Sequence, residues 1–164
     1  MNYYESVVVD YLRADRAIFV NTECCIQVNQ ADNPDSSGAH WYCDAVAVDF
    51  RSKEIFLCEI SYAAELTALL KRLKGLHDNW DAVRHALSRD SFLPESWPVR
   101  PWLFVPEENL DFLLKALGHI GKGEALKFTT RITTLEMVQP WRYASWNRVG
   151  EKAKPVVVPE AMAI

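Results

Sequence analysis

The sequence predicts an α/β fold in which helices flank a mixed β-sheet. Residues 2–15 have helical periodicity, three β-rich segments follow within residues 17–61, and helix-like and strand-like segments alternate from residue 63 onward. The expected order is an α-β-β-β-α-β core followed by an extra helix and strand. Strands joined by short turns pair antiparallel, whereas a helical crossover joins parallel strands, so the sheet should be mixed.

The first half of the chain supplies the first helix and the first three strands. Residues 2–15 should be a helix because Asn2 can cap it and Glu5 occupies the capping-box position. Its apolar stripe consists of Tyr4, Val8, Tyr11 and Leu12. The β-rich segment 17–29 predicts a long strand, and the polar run QADNPDSSGAH (30–40) predicts a loop. Two further strands should flank the turn sequence RSKE.

The second half supplies the crossover and the remaining elements. Leucines recur at helical spacing from residue 66 to residue 73, and Gly75 should end or bend this helix before a second helical stretch at 78–89. The segment PVRPWLFVP (98–106) predicts a strand bracketed by prolines. Residues 107–121 should form a helix with acidic residues in its first turn, and residues 126–138 a last strand.

Composition indicates one globular domain. The chain has 164 residues, of which 49% are apolar and 24% charged. We expect a single domain over residues 1–150 and a loosely packed tail over residues 151–164, which contain two prolines. No apolar run reaches the roughly 18 residues that a membrane span needs. The N-terminus lacks the basic segment of a signal peptide, so we expect a cytoplasmic protein without membrane contact.

Charge and cysteine usage narrow the classes of function. Residues 1–70 carry 4 basic and 11 acidic side chains, whereas residues 125–164 carry 6 basic and 3 acidic ones. The acidic front half argues against broad electrostatic binding of nucleic acid, although a carboxylate-rich metal site would also be acidic. The four cysteines form no C-x-x-C pair, which disfavours a zinc ribbon.

Three polar residues should gather at one end of the predicted hairpin. If Phe50 and Ile55 close the turn, Asp44 lies opposite Ser61, and Glu59 lies on the same face. A loop that differs by two residues would place Asp44 directly opposite Glu59 and keep both on that face. A one-residue slip would separate them, and it would also disrupt the apolar face of the hairpin.

Two neighbouring carboxylates repel each other unless a cation lies between them. A hard divalent cation prefers oxygen ligands, and it can polarise a phosphodiester and lower the pKa of an attacking water. The alternative interpretation is that Asp44 lies in a strand-entry turn and that Glu59 pairs with an arginine or a lysine.

The arrangement resembles the PD-(D/E)xK nuclease superfamily, whose members share a restriction-endonuclease-like core. Asp44 matches the aspartate of the motif, Glu59-Ile60-Ser61 matches E-x-K, and residues 2–105 follow the element order. The resemblance implies a metal-dependent phosphodiesterase acting on DNA or RNA. It implies Mg²⁺ or Mn²⁺ held by Asp44, Glu59, the main-chain carbonyl of Ile60 and Glu5, and it makes a homodimer plausible.

Ser61 replaces the lysine that orients the attacking water and stabilises negative charge in this superfamily. A serine hydroxyl can orient water but supplies no charge. Lys71 and Lys74 are the nearest lysines on the following helix, where we expect a solvated face. The alternative function is therefore a catalytically inactive nuclease-like scaffold that binds nucleic acid or protein as an accessory factor.

Aromatic and basic residues alternate in the segment PWRYASWNR (140–148). Aromatic rings stack on unpaired bases and arginine contacts phosphate, so the candidate nucleic-acid-binding residues are Trp141, Arg142, Tyr143, Trp146 and Arg148. The alternative is that the aromatic rings cover the end of the core while the arginines face water.

Two weaker patterns have the residue types of a zinc site. His77, Asp81 and His85 recur every four residues and would share one face of a continuous helix. His40 and Cys43 form an H-x-x-C pair without two further ligands nearby. The high charge around residues 77–85 favours a solvated helix face instead.

Overall fold

The computed structural model describes residues 1–28 and 39–143. Its helices are α1 (Tyr3–Arg13), α2 (Thr67–Asp78), α3 (Trp80–Ser91) and α4 (Leu110–Leu117), and its strands are β1 (Ile18–Gln27), β2 (His40–Asp49), β3 (Glu54–Ile60), β4 (Val99–Val105) and β5 (Arg131–Thr134). Short 3-10 helices span Glu107–Asn109 and Pro140–Arg142. Most of the loop predicted at 30–40 and all of the tail predicted at 151–164 lie outside the described residues.

The five strands form one mixed sheet in the order β1-β2-β3-β4-β5. β1, β2 and β3 pair antiparallel, whereas β4 pairs in parallel with both β3 and β5. α1 packs on one face of the sheet, and α2, α3 and α4 pack on the other. The predicted α/β class with helices on both faces is therefore confirmed. No helix within the described ranges is long and apolar enough to cross a bilayer.

The predicted capping box of α1 is present. Asn2 Oδ1 accepts a hydrogen bond from the Glu5 main-chain N–H at 3.0 Å, and Glu5 Oε2 accepts one from Asn2 N at 3.0 Å. The helix then buries Val8, Tyr11 and Leu12 against β2, β3 and β4. The main-chain donors of Asn2 and Glu5 are thereby satisfied, which favours the start of α1 at this position.

The hairpin register differs by two residues from the one in which Phe50 and Ile55 close the turn. Val48 lies opposite Ile55 and Val46 opposite Leu57, so the loop that differs by two residues is the one observed. The reason lies in Asp49, whose Oδ1 accepts hydrogen bonds from the main-chain N–H groups of Arg51 (2.9 Å) and Ser52 (3.2 Å). This Asx-type turn ends β2 at Asp49, one residue earlier than expected.

Two predicted boundaries are wrong. α2 continues through Gly75 and ends at Asp78, because the helix is interrupted at Asn79 instead. A Cβ atom at residue 75 would lie 3.2 Å from Cζ3 of Trp41, so the glycine admits the indole ring of Trp41 against the helix. The last strand covers only Arg131–Thr134 of the predicted 126–138, which matches the short length over which it pairs with β4.

Trp102 should be the largest single contributor to the α1-facing core. Its buried indole contacts Phe56 and Phe104, and its Nε1 donates to Thr133 Oγ1 at 2.9 Å. We expect Trp102→Ala to lower the free energy of unfolding by about 3–5 kcal/mol, since it leaves a large cavity. Urea denaturation followed by circular dichroism measures this change.

Trp141→Ala is the matched control, because this indole is 71% exposed. It should change the free energy of unfolding by less than about 0.5 kcal/mol. Equal losses in the two variants would contradict the assignment of Trp102 to the core.

Candidate active site

The structure brings Asp44 and Glu59 together at the end of the hairpin that lies far from the turn. Ala45 and Cys58 are the last registered pair of β2 and β3, and Asp44 and Glu59 are the next residues on the two strands. Asp44 Oδ2 accepts a hydrogen bond from the main-chain N–H of Ile60 at 2.6 Å. The side chain of Asp44 therefore reaches across to β3 and fixes this end of the hairpin.

Glu59 is a buried carboxylate with unequal oxygens. The residue is only 1% exposed, and its Oε2 accepts a hydrogen bond from Arg72 Nε at 2.7 Å. Its Oε1 is buried and has no hydrogen-bond partner among the described residues. Burial raises the pKa of Glu59 to about 7, with a further increase from Asp44, while Arg72 acts in the opposite direction. Near neutral pH the protonated and the ionised forms of this carboxyl group are therefore both populated.

Asp44 shares the electrostatic environment of Glu59. Burial raises its pKa, and the hydrogen bond from Ile60 and the charge of Arg72 oppose this shift, while the charge of Glu5 adds to it. Asp44 thus lies close enough to Glu5 for the charge of Glu5 to raise its pKa, Glu59 is affected in the same way by Asp44, and Arg72 contributes a compensating positive charge to both. With all three carboxylates ionised, this group of four side chains carries a net negative charge.

Glu5 lies beside the pair but is already engaged. Its Oε2 accepts from Asn2 N and its Oε1 accepts from Asn2 Nδ2, at 3.0 and 2.6 Å. Asn2 Nδ2 also donates to the Tyr62 hydroxyl at 3.2 Å, which connects the start of α1 to the residues after β3. A role of Glu5 in metal binding stays a prediction, and it would require the capping box to open or a water to intervene.

The two carboxylates of Asp44 and Glu59 are the side chains at this site that suit a small hard cation. No group of three His, Cys, Asp or Glu side chains in residues 1–28 and 39–143 is arranged to hold a metal ion. Glu59 Oε1, however, is a buried carboxyl oxygen without a hydrogen-bond partner in the described part of the chain, and Asp44 lies beside it. Mg²⁺ is commonly bound by one or two carboxylates plus water and substrate phosphate. Asp44 and Glu59 fit that limited requirement.

Arg72 is the positive charge of this site: the alternative that Glu59 pairs with an arginine or a lysine is confirmed, although the sequence did not identify which residue it would be. Arg72 follows Leu69 by three residues and precedes Leu76 by four, and both leucines are buried on the face of α2 that meets the sheet. The signal available in the sequence was a basic residue on the helix face that also carries the buried leucines. Lys71 and Lys74 instead line a groove with α4, and Lys74 Nζ pairs with Asp78 Oδ2 at 2.7 Å.

Ser61 and Tyr62 follow directly after β3. The main-chain N–H of Ser61 donates to Phe104 O at 2.9 Å and extends the pairing with β4. The ring of Tyr62 is half exposed and stacks on Tyr4, with ring centroids 4.8 Å apart. The chain therefore carries an exposed aromatic pair three residues beyond Glu59.

Two of the predicted nucleic-acid-binding residues lie in a cleft with this aromatic pair. The cleft has a volume of about 520 Å³, and we call it the aromatic cleft; it is lined by Tyr4, Tyr62, Trp141 and Arg142 together with Pro106, Glu108, Leu135, Glu136 and Gln139. Tyr62, Pro106 and Leu135 each follow the carboxyl end of a strand. In α/β sheets this edge is the usual position for ligands.

The remaining predicted residues of this segment do not line the cleft. Tyr143 is half buried and packs edge-on against Tyr11, with ring centroids 5.4 Å apart. This contact agrees with the alternative in which an aromatic residue covers the core. Trp146 and Arg148 lie outside the described residues.

The two zinc patterns are not supported where the structure describes them. The helix break at Asn79 places His77 on α2 but Asp81 and His85 on α3, so they share no continuous helix face. His77 is buried, and its Nδ1 accepts a hydrogen bond from the main-chain N–H of Lys127 at 3.3 Å. This histidine therefore provides a hydrogen-bond acceptor for the main chain of the segment between α4 and β5.

Comparison with known proteins extends only to the fold. No protein-family model matches the sequence, and no curated protein matches it significantly. The crystal structure of an XisH family protein from Nostoc punctiforme is similar, with a TM-score of 0.50 and 14% sequence identity. The match covers 84% of this chain and 95% of the other. The chain therefore shares the architecture of that protein, and so low an identity carries no information about activity.

Arg72→Met tests the electrostatic account of Glu59. A raised pKa means that the folded state binds a proton between pH 4.5 and about 7, so the stabilisation from this proton is lost as pH rises through that window. Without Arg72 the carboxylate is harder still to ionise. We expect Arg72→Met to cost about 2–3 kcal/mol of unfolding free energy at pH 8 and much less at pH 5.

Urea denaturation at both pH values measures this difference. Lys74→Met is the matched control, because it removes an exposed ion pair from the same helix and should have little effect at either pH. A loss for Arg72→Met that is as large at pH 5 as at pH 8 would contradict the account.

Proposed function

We propose that this protein is a metal-dependent phosphodiesterase that acts on DNA or RNA, with Asp44 and Glu59 as the ligands of Mg²⁺ or Mn²⁺. The observation that carries the proposal is the buried Oε1 of Glu59, which has no hydrogen-bond partner within residues 1–28 and 39–143 and lies beside Asp44 at the carboxyl end of β3. A protein core gains little from a buried carboxylate beside a half-buried one, since each costs desolvation energy. The resemblance of Asp44 and Glu59-Ile60-Ser61 to the PD-(D/E)xK motif supports the same chemistry.

Each residue of the site has a defined task in this proposal. Asp44 and Glu59 hold the cation, and the main-chain carbonyl of Ile60 is available as a neutral oxygen ligand. When bound, the cation supplies positive charge to a phosphodiester and lowers the pKa of a nearby water. Since Glu59 must be ionised to ligate a metal, its pKa of about 7 makes the site more competent on the alkaline side of neutrality.

Arg72 supplies the charge that Ser61 cannot. A guanidinium carries five N–H donors in a fixed plane, and only the one on Nε is used by Glu59 in the hydrogen bond described above. A phosphate oxygen placed beside Glu59 would meet the remaining donors, which suit a bidentate contact. Ser61 then has the lesser task of orienting a water molecule through its hydroxyl.

The aromatic cleft gives the proposal its substrate class. Tyr4 and Tyr62 present a stacked pair of rings, and Trp141 adds an exposed indole beside Arg142. Exposed aromatic faces stack on unpaired bases. Glu108 and Glu136 line the same cleft and weaken its attraction for a duplex backbone. We therefore infer a preference for single-stranded or frayed nucleic acid. A homodimer stays a prediction from the resemblance.

One observation favours a second candidate function. Arg72 Nε lies 2.7 Å from Glu59 Oε2, so a resident cation already neutralises much of the charge that would attract a metal. In this alternative the chain is a catalytically inactive nuclease-like scaffold. It would bind nucleic acid through the aromatic cleft without cleaving it.

Calorimetric titration of Mn²⁺ distinguishes the two candidates at the metal-binding step. We expect binding to the parent protein that is about tenfold stronger at pH 8 than at pH 6, because Glu59 ionises with a pKa of about 7. Asp44→Ala and Glu59→Ala should each abolish binding. Glu65→Gln is the control, since this exposed carboxylate precedes α2 and lies outside the proposed site.

A nuclease assay on single strands, duplexes and branched substrates follows the titration. Metal-dependent cleavage by the parent and by Glu65→Gln, lost in both alanine variants, would support the enzyme. Binding of Mn²⁺ without cleavage would favour the inactive scaffold, and no binding at millimolar Mn²⁺ would contradict the metal site.

Binding to a fluorescent single-stranded oligonucleotide tests the aromatic cleft. Tyr62→Ala and Trp141→Ala should each weaken binding by about 1–3 kcal/mol, the usual contribution of one base stacked on an aromatic ring. Phe92→Ala is the matched control, because Phe92 is 91% exposed but follows α3 and does not line the cleft. Equal weakening by all three substitutions would contradict the cleft as the binding surface. Unchanged binding in all three variants would contradict it as well.

A further inference from the structure

Two cysteines face each other across the first strand pair. Cys24 of β1 is the registered partner of Cys43 of β2, and both are free thiols. Directly opposed residues of antiparallel strands have Cα atoms about 4.5–5.5 Å apart and side chains on one face. That separation falls inside the range of about 4.4–6.8 Å that a disulfide needs. The Cys43 thiol also contacts the main-chain carbonyl of Cys24, with 3.8 Å between sulfur and oxygen.

The two thiols occupy different environments. Cys43 is buried, whereas Cys24 is half buried and lines a largely apolar pocket of about 430 Å³ between β1 and the end of α3. Asn21 Nδ2 lies 3.8 Å from Cys24 Sγ and can donate to it. A small oxidant can therefore reach Cys24 through the pocket. Cys43 is buried and lies opposite Cys24 on the neighbouring strand.

The contact between the two thiols also affects how readily Cys24 loses its proton. The contact with the Cys43 thiol lowers the pKa of Cys24 to about 7, although burial acts in the opposite direction. The thiolate is the nucleophilic form of cysteine, so Cys24 is the sulfur prepared to attack. Cys43 is the buried partner and supplies the second sulfur of the bond.

We propose that Cys24 and Cys43 form an oxidation site, in which a peroxide converts the two thiols into a cross-strand disulfide. The inference does not depend on phosphodiesterase activity. It stands on the register of β1 and β2 and on the opening of the pocket toward Cys24.

The reaction balances with peroxide as the oxidant. The sulfur of Cys24 attacks one peroxide oxygen, the O–O bond breaks, and a sulfenic acid and one molecule of water are formed. The sulfur of Cys43 then attacks the sulfur of Cys24, the S–O bond breaks, and the second water leaves with the proton of Cys43. Two thiols lose two electrons in total, and one hydrogen peroxide is reduced to two waters.

The other two cysteines provide internal controls. Cys25 is also half buried and lines the same pocket, but its registered partner on β2 is Tyr42, which carries no thiol. Cys58 is fully buried in the α1-facing core. Neither has a second thiol as its registered partner on a neighbouring strand.

The test treats the reduced full-length protein with hydrogen peroxide, alkylates it in denaturant and analyses its peptides by mass spectrometry. We expect the number of free thiols to fall from four to two, with a peptide linking Cys24 to Cys43. Cys25→Ser should retain this linkage and its rate. Cys24→Ser should lose the rapid reaction, because the attacking sulfur is gone.

Cys43→Ala separates the roles of the two sulfurs. Without the resolving thiol, sulfenic acid formed on Cys24 should persist and be labelled by dimedone, whereas in the parent protein the disulfide should form before dimedone reacts. Circular dichroism checks that this variant is folded, and the linkage retained by Cys25→Ser tests the proposal if it is not. A disulfide through Cys25, one between two molecules, or labelling of Cys24 that is as strong in the parent as in Cys43→Ala would overturn the proposal.

Discussion

The register of β2 against β3 is the constraint on which the rest of the site depends. Asp49 ends β2 by accepting two main-chain hydrogen bonds from the turn, and every pair beyond it follows from that position. Ala45 and Ala47 then face α1, where small side chains leave room for its aromatic and aliphatic residues. A slip of one residue would exchange the two faces and bury Asp44 and Glu59 on the wrong side. The core and the carboxylate pair are thus specified by the same turn.

The ion pair between buried Glu59 and partly exposed Arg72 costs the folded state free energy. Removing the Glu59 charge from water is unfavourable, and apolar side chains of similar volume are often at least as stable. Oε1 of Glu59 has no hydrogen-bond partner among the described residues, and burial raises the pKa of the carboxyl to about 7 although Arg72 lowers it. Such an arrangement is typical of sites where function selects for a perturbed carboxylate instead of maximal stability.

The first turn of α1 connects the carboxylate pair to the aromatic cleft. Glu5 raises the pKa of Asp44, and it also holds Asn2, which donates to the Tyr62 hydroxyl. Tyr62 stacks on Tyr4 in turn. The capping box therefore does more than start a helix, since its two residues also contact Tyr62 and influence Asp44. A ligand at this edge would contact α1, β3 and the segment after β5 together.

The sequence by itself determined the order of the elements, the α1 capping box and the sharing of one face by Asp44 and Glu59. Each of these depends on local periodicity or on residues a few positions apart. The sequence did not determine the two-residue register, the passage of α2 through Gly75, or the partner of Glu59. The register depends on the turn that Asp49 closes, and the passage of α2 through Gly75 depends on the packing of Trp41 from β2 against that helix. The partner of Glu59 depends on which face of α2 meets the sheet. Only the tertiary structure decides them, because the contacting groups lie far apart in the chain and the docking of helices on the sheet brings them together.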